Sequence, residues 1–276
     1  MTETREDSPA RLFQDLLSAS GDIEAAVRLL AARTGLPKRR AEAVACSLGH
    51  VPLRYRYNEG TLGCGGQQRL LEATVMVVGL GGLGGYVLEQ LVRCGTGTIV
   101  AVDPDRFEAT NLNRQLLADL TSIGLSKVEA ARRRVAVVND AVELLGHKSS
   151  VEDLSDAAYS GVELIFDCLD HVSSRLHLEA AGTRLNIPIL HGAIGGWYGQ
   201  VALVAPGSGL LAALYGTRET GIEKTLGNPP FTPAVIASLM VSQGIKVLLG
   251  KMGGERGIFF LDLLANTWEV APVVRR

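Results

Sequence analysis

The spacing of apolar positions changes near residue 74. Before it, apolar residues recur at helical intervals. Leu12, Phe13, Leu16 and Leu17 share one face, Ile23, Val27, Leu30 and Ala31 a second. Leu36, Ala41, Val44 and Ala45 share a third, after the turn at Thr34-Gly35-Leu36-Pro37. Residues 9–49 are therefore expected to form a small helical module, followed over 50–74 by a connector with a short helix around Gln67–Leu71. From Val75 onward, short apolar runs alternate with amphipathic stretches. Val75–Gly79, Thr98–Asp103, Val162–Asp167 and Ile187–His191 read as strands, and Leu83–Cys94, Leu125–Val138 and His171–Leu185 as the helices between them. Gly199–Ala205 reads as a further strand, 206–230 as a long loop and Thr232–Leu249 as a helix. Ile258–Leu263 and Thr267–Val273 read as a closing hairpin. Continuous apolar strands separated by helices specify an α/β fold. We expect a doubly wound, Rossmann-like, mostly parallel sheet with C-terminal antiparallel strands, plus the N-terminal helical module. The expected division is 1–52 for the module and 53–276 for the α/β domain.

Composition narrows the function. Of 276 residues, 47% are hydrophobic and 20% charged, which suits a folded chain with a sizeable core. With 27 basic and 29 acidic side chains the net charge is −2, so a generally basic surface is absent and nucleic-acid binding is not expected. The triplet Lys38-Arg39-Arg40 alone is a weak electrostatic footprint and reads as a solvated helix face. The first ten residues carry acids and no apolar run, unlike a signal peptide. No stretch reads as the run of about 18–20 apolar residues that spans a membrane. The four cysteines, Cys46, Cys64, Cys94 and Cys168, form no CxxC pair. They read as reduced thiols in a cytoplasmic protein, without a disulfide framework or a zinc ligand set. Cys168 reads as a buried, inert thiol within its strand, and Cys64 as the most exposed thiol, in a glycine loop.

The strongest chemical signal is Gly79-Leu80-Gly81-Gly82-Leu83-Gly84-Gly85, set between a strand and a helix. Gly79, Gly81 and Gly84 fit G-x-G-x-x-G, and with Gly82 they let phosphate approach backbone N–H groups at a helix N-terminus. Asp103 ends the next strand, where an acid can hold ribose hydroxyls. Asn111-Leu112-Asn113-Arg114-Gln115 and Lys127 follow, and Asp167 and Asp170 bracket the end of the third strand. In an open parallel sheet all these strand ends share the carboxyl edge. Two cations and a carboxylate beside a phosphate turn suit ATP attacked at its α-phosphorus, with the carboxylate for magnesium.

These motifs together resemble the ThiF/MoeB/HesA family of adenylyltransferases, over about Arg54 to the C-terminus. The resemblance implies MgATP-dependent adenylylation of the C-terminal Gly-Gly carboxylate of a small ubiquitin-like sulfur-carrier protein, by a homodimer. It implies that Gly82, Asp103, Asn111, Arg114 and Lys127 bind ATP and that Asp170 binds magnesium (Mg2+). Departures from the family pattern carry information too. Family members often have two CxxC pairs for zinc. Here the first would fall near Leu211–Leu214, the second is absent, and no zinc is expected. The family's R-Y-x-R reads Arg54-Tyr55-Arg56-Tyr57, so Arg56 becomes the candidate for the arginine that reaches the partner's ATP. The usual D-N pair reads Asp170-His171, with His171 expected to cap or pack. Three other readings stand beside this one: adenylation of a carboxylate on a modified tRNA base, an NAD-dependent oxidoreductase, and a non-catalytic carrier-binding scaffold. The oxidoreductase reading leaves Arg114, Lys127 and Asp170 without a task.

Overall fold

In the computed structural model, residues 8–216, 223–251 and 257–272 are described. The first three helices are α1 (Pro9–Ser20), α2 (Ile23–Thr34) and α3 (Lys38–Ser47). Ser8 and Asp22 cap the first two by accepting from Arg11 N–H and Glu24 N–H, and Gly21 and Gly35 end them in left-handed conformation. Phe13, Leu16, Val27, Leu30 and Ala41 close a core of their own. A 3₁₀ turn (Leu53–Asn58) leads into α4 (Glu59–Glu72), which is longer than the short helix expected and kinks at Gly63. Cys64 therefore lies on a helix and not in a loop, half-buried with its Sγ 3.9 Å from Glu59 Oε1.

The α/β part follows: β1 (Thr74–Val78), α5 (Gly82–Cys94), β2 (Thr98–Val102), α6 (Lys127–Val138), β3 (Glu143–His147), β4 (Leu164–Asp167), α7 (Val172–Leu185), β5 (Ile189–Gly195), β6 (Tyr198–Val204), α8 (Leu210–Tyr215), α9 (Glu223–Leu226), α10 (Phe231–Leu248), β7 (Gly257–Asp262) and β8 (Thr267–Pro272). They form one eight-stranded sheet in the order β3-β2-β1-β4-β5-β6-β7-β8. The pairs from β3 to β5 are parallel and those from β5 to β8 antiparallel. Alternate residues of each strand feed opposite faces, as the pleat requires. Val75, Val77, Ile99, Ala101 and Phe166 pack on one face with residues of α5, α6 and α10. Met76, Val78, Val100, Val102 and Ile165 pack on the other with residues of α7 and α8.

The structure corrects several expectations. Strand β3 was not anticipated, because it is a half-exposed edge strand with only two apolar residues and a glycine inside it. The stretch expected as one long loop contains α8 and α9, with 217–222 outside the described residues. The closing hairpin is present, and Val273, its expected last residue, also lies outside them, as do residues 1–7. Helix α10 has the length and composition of a membrane span, with a mean hydropathy of 1.4 over 18 residues, contrary to the expectation that no stretch would. Its Ile236, Ala237, Met240 and Val241 are core residues of the sheet.

The basic triplet on α3 is a solvated face only in part, since Arg40 is exposed while Lys38 and Arg39 are half-buried. Lys38 pairs with Asp140 at 2.7 Å, Arg39 with Glu143 at 2.9 Å and Arg40 with Glu72 at 4.0 Å. Beneath these pairs, Tyr55 is fully buried and donates to Glu42 Oε2 at 3.2 Å while accepting from Asn139 Nδ2 at 2.9 Å. Arg54 bridges Glu42 at 3.6 Å and Asp140 at 2.9 Å. Burial pushes the Glu42 carboxyl up to about 7, against the pull of Arg54 and the Tyr55 hydroxyl. A folded-state value above the unfolded one means that the folded chain holds this proton more tightly. The stabilisation is complete below the unfolded value of about 4.5 and is lost as pH rises through about 7. Glu42→Gln cannot ionise, so its thermal midpoint relative to the parent should climb between pH 5 and pH 8. The gain should reach about 1–3 kcal/mol. Melting curves that stay parallel across this range would show that Glu42 does not titrate there.

Candidate functional site

Because β2 and β3 lie to one side of β1 while β4 and β5 lie to the other, the chain reverses its winding between β1 and β4. A crevice opens at the carboxyl edge of such a sheet. Here it is a cavity of about 410 Å³. Gly79, Gly81, Gly82, Asp103, Arg114, Lys127 and Asp170 all line it.

The glycine turn forms its floor. Gly79 has φ +88°, and a Cβ there would stand 2.7 Å from the Cys168 carbonyl oxygen. A Cβ on Gly84 would stand 1.7 Å from the Gly79 carbonyl oxygen, so α5 can meet the turn only through bare backbone. Gly84 thus acts in packing and does not line the cavity. Helix α5 begins at Gly82 with Gly81 as its cap residue and no side-chain cap, leaving first-turn N–H groups directed at the crevice.

Asp103 is buried and accepts from Leu80 N–H at 2.7 Å and Asp105 N–H at 2.8 Å. Burial raises its carboxyl, while Lys127 and the two N–H groups pull the other way. Lys127 Nζ lies 2.8 Å from Asp105 Oδ2 and 3.7 Å from Asp103 Oδ2. The lysine expected to bind ATP is therefore held between two acids. Arg114 donates to the Thr110 carbonyl at 3.1 Å and to Asn113 Oδ1 at 2.9 Å, with its aliphatic stem over Gly82. Asn111 does not line the cavity. Its Oδ1 accepts from Glu108 N–H at 3.1 Å, which closes a capping box in the loop that carries Arg114. Asp170 is exposed and makes no capping bond to α7, whose N-cap is His171. An acid does stand beside His171 after all, with Asp170 Oδ1 4.0 Å from its Nε2. Arg56 is exposed on the 3₁₀ turn and does not line the cavity.

Cys168 follows β4 and does not belong to it. It is half-buried and lines the cavity. Burial and the neighbouring Asp167 push its thiol well above the ordinary range, which keeps it protonated and a poor nucleophile. Where the first zinc pair of the resemblance would fall, Leu211–Leu214 are part of α8, with Leu211 buried.

Sequence reasoning missed further lining residues. Gln115 and Asn228 each bury an oxygen that has no hydrogen-bond partner among the described residues. Arg175 also lines the cavity, in contact with a buried His191. Its only sequence signal was its place five residues after Asp170, in the first turns of a helix.

This arrangement defines a doubly wound α/β protein with a ligand cavity at its topological switch point. The ThiF family's sequence pattern matches residues 55–276. The chain belongs to the ThiF family. It is 33% identical over 143 residues to the sulfur carrier protein ThiS adenylyltransferase of Escherichia coli, a match that covers 51% of this chain and 57% of that relative. It is 32% identical over 207 residues to the sulfur carrier protein adenylyltransferase of Thermus thermophilus, covering 67% and 72%. Among solved structures, PaaA superposes with a TM-score of 0.64 at 20% identity, covering 98% of this chain and 90% of that one. MccB of E. coli with ATP superposes with a TM-score of 0.66 at 18% identity, covering 90% and 82%. At these identities the superpositions speak to the fold alone.

The two glycines should separate experimentally. Gly84→Ala should lower stability by about 3 kcal/mol or more, because backbone must move to admit the methyl. Gly82→Ala meets only the Arg114 stem, at 3.6 Å, and should unfold within about 0.5 kcal/mol of the parent. Thermal unfolding of both variants checks this, and equal losses would contradict it.

Proposed function

We propose that the protein adenylylates a carboxylate with MgATP, and that its substrate is the C-terminal Gly-Gly carboxylate of a small ubiquitin-like sulfur-carrier protein. The observation that carries this reading is the convergence of a phosphate turn, Arg114, Lys127 and Asp170 on one cavity. The orphaned oxygens of Gln115 and Asn228 add a need for a ligand with hydrogen-bond donors, which the amine and hydroxyls of a nucleoside supply.

Asp170 suits magnesium by its donors: an exposed carboxylate with no capping bond to spend, beside a phosphate site. Magnesium commonly takes one or two carboxylates and fills its remaining positions with phosphate oxygens and water. Bound there, it would offset charge on the pyrophosphate. The protein's own groups do the rest. A carboxylate oxygen of the substrate attacks the α-phosphorus, the bond to the oxygen bridging α- and β-phosphorus breaks, and pyrophosphate leaves with that electron pair. N–H groups at the start of α5 hold the α-phosphate oxygens. Arg114 and Lys127 meet the charge that develops there, Lys127 being kept in place by Asp105 and Asp103. No protein nucleophile takes part, in keeping with the protonated Cys168.

The carrier assignment draws on relatives named for sulfur-carrier activation. A Bacillus subtilis relative, 32% identical over 139 residues, is a tRNA threonylcarbamoyladenosine dehydratase, so the acceptor is the finer point to test. We also propose a homodimer in which the exposed Arg56 reaches the partner's nucleotide.

Exchange of labelled pyrophosphate into ATP tests the chemistry. It should depend on a carrier protein ending in Gly-Gly and be absent with threonylcarbamoyladenosine-modified tRNA. The reverse dependence would move the assignment to the tRNA base, and no exchange with either would remove it. Arg114→Ala and Asp170→Asn should each lower exchange about 10²- to 10³-fold without unfolding the chain. Light scattering should give twice 29.3 kDa, and Arg56→Ala should lower turnover more than ATP affinity. A monomer with full activity would remove the trans arginine.

A further inference from the structure

Parallel pairing of β4 and β5 puts Asp167 and His191 in direct register. Both side chains are fully buried, with Asp167 Oδ2 2.7 Å from His191 Nδ1. The His191 ring lies under a third buried group, Arg175, whose NH1 is 3.1 Å from Nδ1 and 3.2 Å from Nε2. The same NH1 donates to the Tyr215 hydroxyl at 2.6 Å. Tyr215 Oη and Gln200 Nε2 lie 3.1 and 3.2 Å from His191 Nε2. One tautomer fits the set: Nδ1–H donates to Asp167, Nε2 accepts from the Tyr215 hydroxyl, and Gln200 Nε2 donates to the Tyr215 oxygen at 3.3 Å. The ring is neutral, because burial and the Arg175 charge both lower its basicity against the pull of Asp167. Asp167 stays ionised despite burial, held low by Arg175 and by the His191 hydrogen bond.

The output of this network is the backbone of one residue, Leu169, held on the peptide before it and on the peptide after it. Asp167 Oδ1 accepts from Leu169 N–H at 3.0 Å, and Arg175 NH2 donates to the Leu169 carbonyl oxygen. Both faces of Leu169 are thereby gripped by buried charges, and the next residue is Asp170. Asp170 itself is exposed and makes no capping bond to α7. Among the described residues its carboxylate has only the exposed His171 ring beside it, at 4.0 Å, so its placement falls chiefly to the backbone that carries it.

We propose that Arg175 is a positioning residue: with Asp167 it clamps the Leu169 backbone on both sides, aims Asp170 into the cavity, and through Tyr215 ties helix α8 to that aim. The clamp rests on the proposed function only in what Asp170 is aimed at. A buried charge that merely held the fold together would act on stability, whatever residue 170 was. A positioning residue acts through Asp170, so its effect vanishes when Asp170 can no longer bind the metal.

Calorimetric titration of the full chain with α,β-methylene ATP, with magnesium or with EDTA, gives the gain in affinity due to magnesium. The parent should show a gain of about tenfold or more, and Asp170→Asn should erase it. Arg175→Met should cut the gain below about threefold. The double variant should bind no more weakly than Asp170→Asn alone. A parental gain in Arg175→Met, or an additive loss in the double variant, would overturn the proposal. If Arg175→Met does not fold, Tyr215→Phe decides. It keeps the ring and should lower the gain about two- to threefold, and an unchanged gain overturns the proposal. Hydrogen exchange over residues 167–171 in the ligand-free chain reads the clamp without nucleotide. It should quicken in whichever variant folds, and unchanged exchange would remove the clamp. A parent that binds no nucleotide, yet shows quickened exchange in the variant, would sink the adenylation reading and leave the clamp standing.

Discussion

Three pieces of backbone meet without a side chain between them. The carbonyl of Cys168 presses on Gly79, and the carbonyl of Gly79 presses on Gly84 in the first turn of α5. That contact sets how closely the end of β1, the start of α5 and the loop after β4 approach one another. From it follow the direction of the α5 N-terminus, the distance from its N–H groups to the Asp170 loop, and the shape of the crevice between them. Arg114 and Lys127 join from the β2 side, Arg114 with its stem over Gly82 and Lys127 beside Asp103, which accepts from Leu80 N–H in the turn. Any side chain at Gly79 or Gly84 would separate the glycine turn from the loop that carries Asp170.

Much of this was legible in the sequence because the signals are local. A run of five apolar residues, a glycine turn and an amphipathic stretch specify strand, turn and helix from neighbouring residues alone, and strand ends converge by topology. Arg114, Lys127, Asp103 and Asp170 could be gathered that way. What could not be read depends on tertiary pairing. Asp167 and His191 are 24 residues apart, and only the β4–β5 register makes them neighbours. Asn111 sits inside a motif yet spends its side chain on a capping box, a choice fixed by loop geometry. Strand β3 escaped because an edge strand needs few apolar residues. The basic triplet on α3 was read only in part, because its acidic partners Asp140 and Glu143 lie about a hundred residues away.

That triplet ties the N-terminal helices to the rim of the sheet, with the Glu42–Tyr55–Asn139 cluster beneath it. The same short segment carries Arg54 into this seam and leaves Arg56 on the outside. Two residues apart on a 3₁₀ turn are about 240° around its axis, so one arginine holds the chain to itself while the other faces outward. The seam and the cavity share no residue, so changes in one need not disturb the other.

In the proposed reaction ATP binds with its α-phosphate over the start of α5, flanked by Arg114 and Lys127 and faced by Asp170. A crystal structure of the chain with α,β-methylene ATP and magnesium tests it most directly. The account predicts α-phosphate oxygens within hydrogen-bond distance of N–H groups at Gly81–Leu83, both cations within about 3 Å of phosphate oxygens, and the metal on Asp170. A nucleotide bound elsewhere, or one whose phosphates lie at the turn with Arg114, Lys127 and Asp170 all turned away, would contradict it.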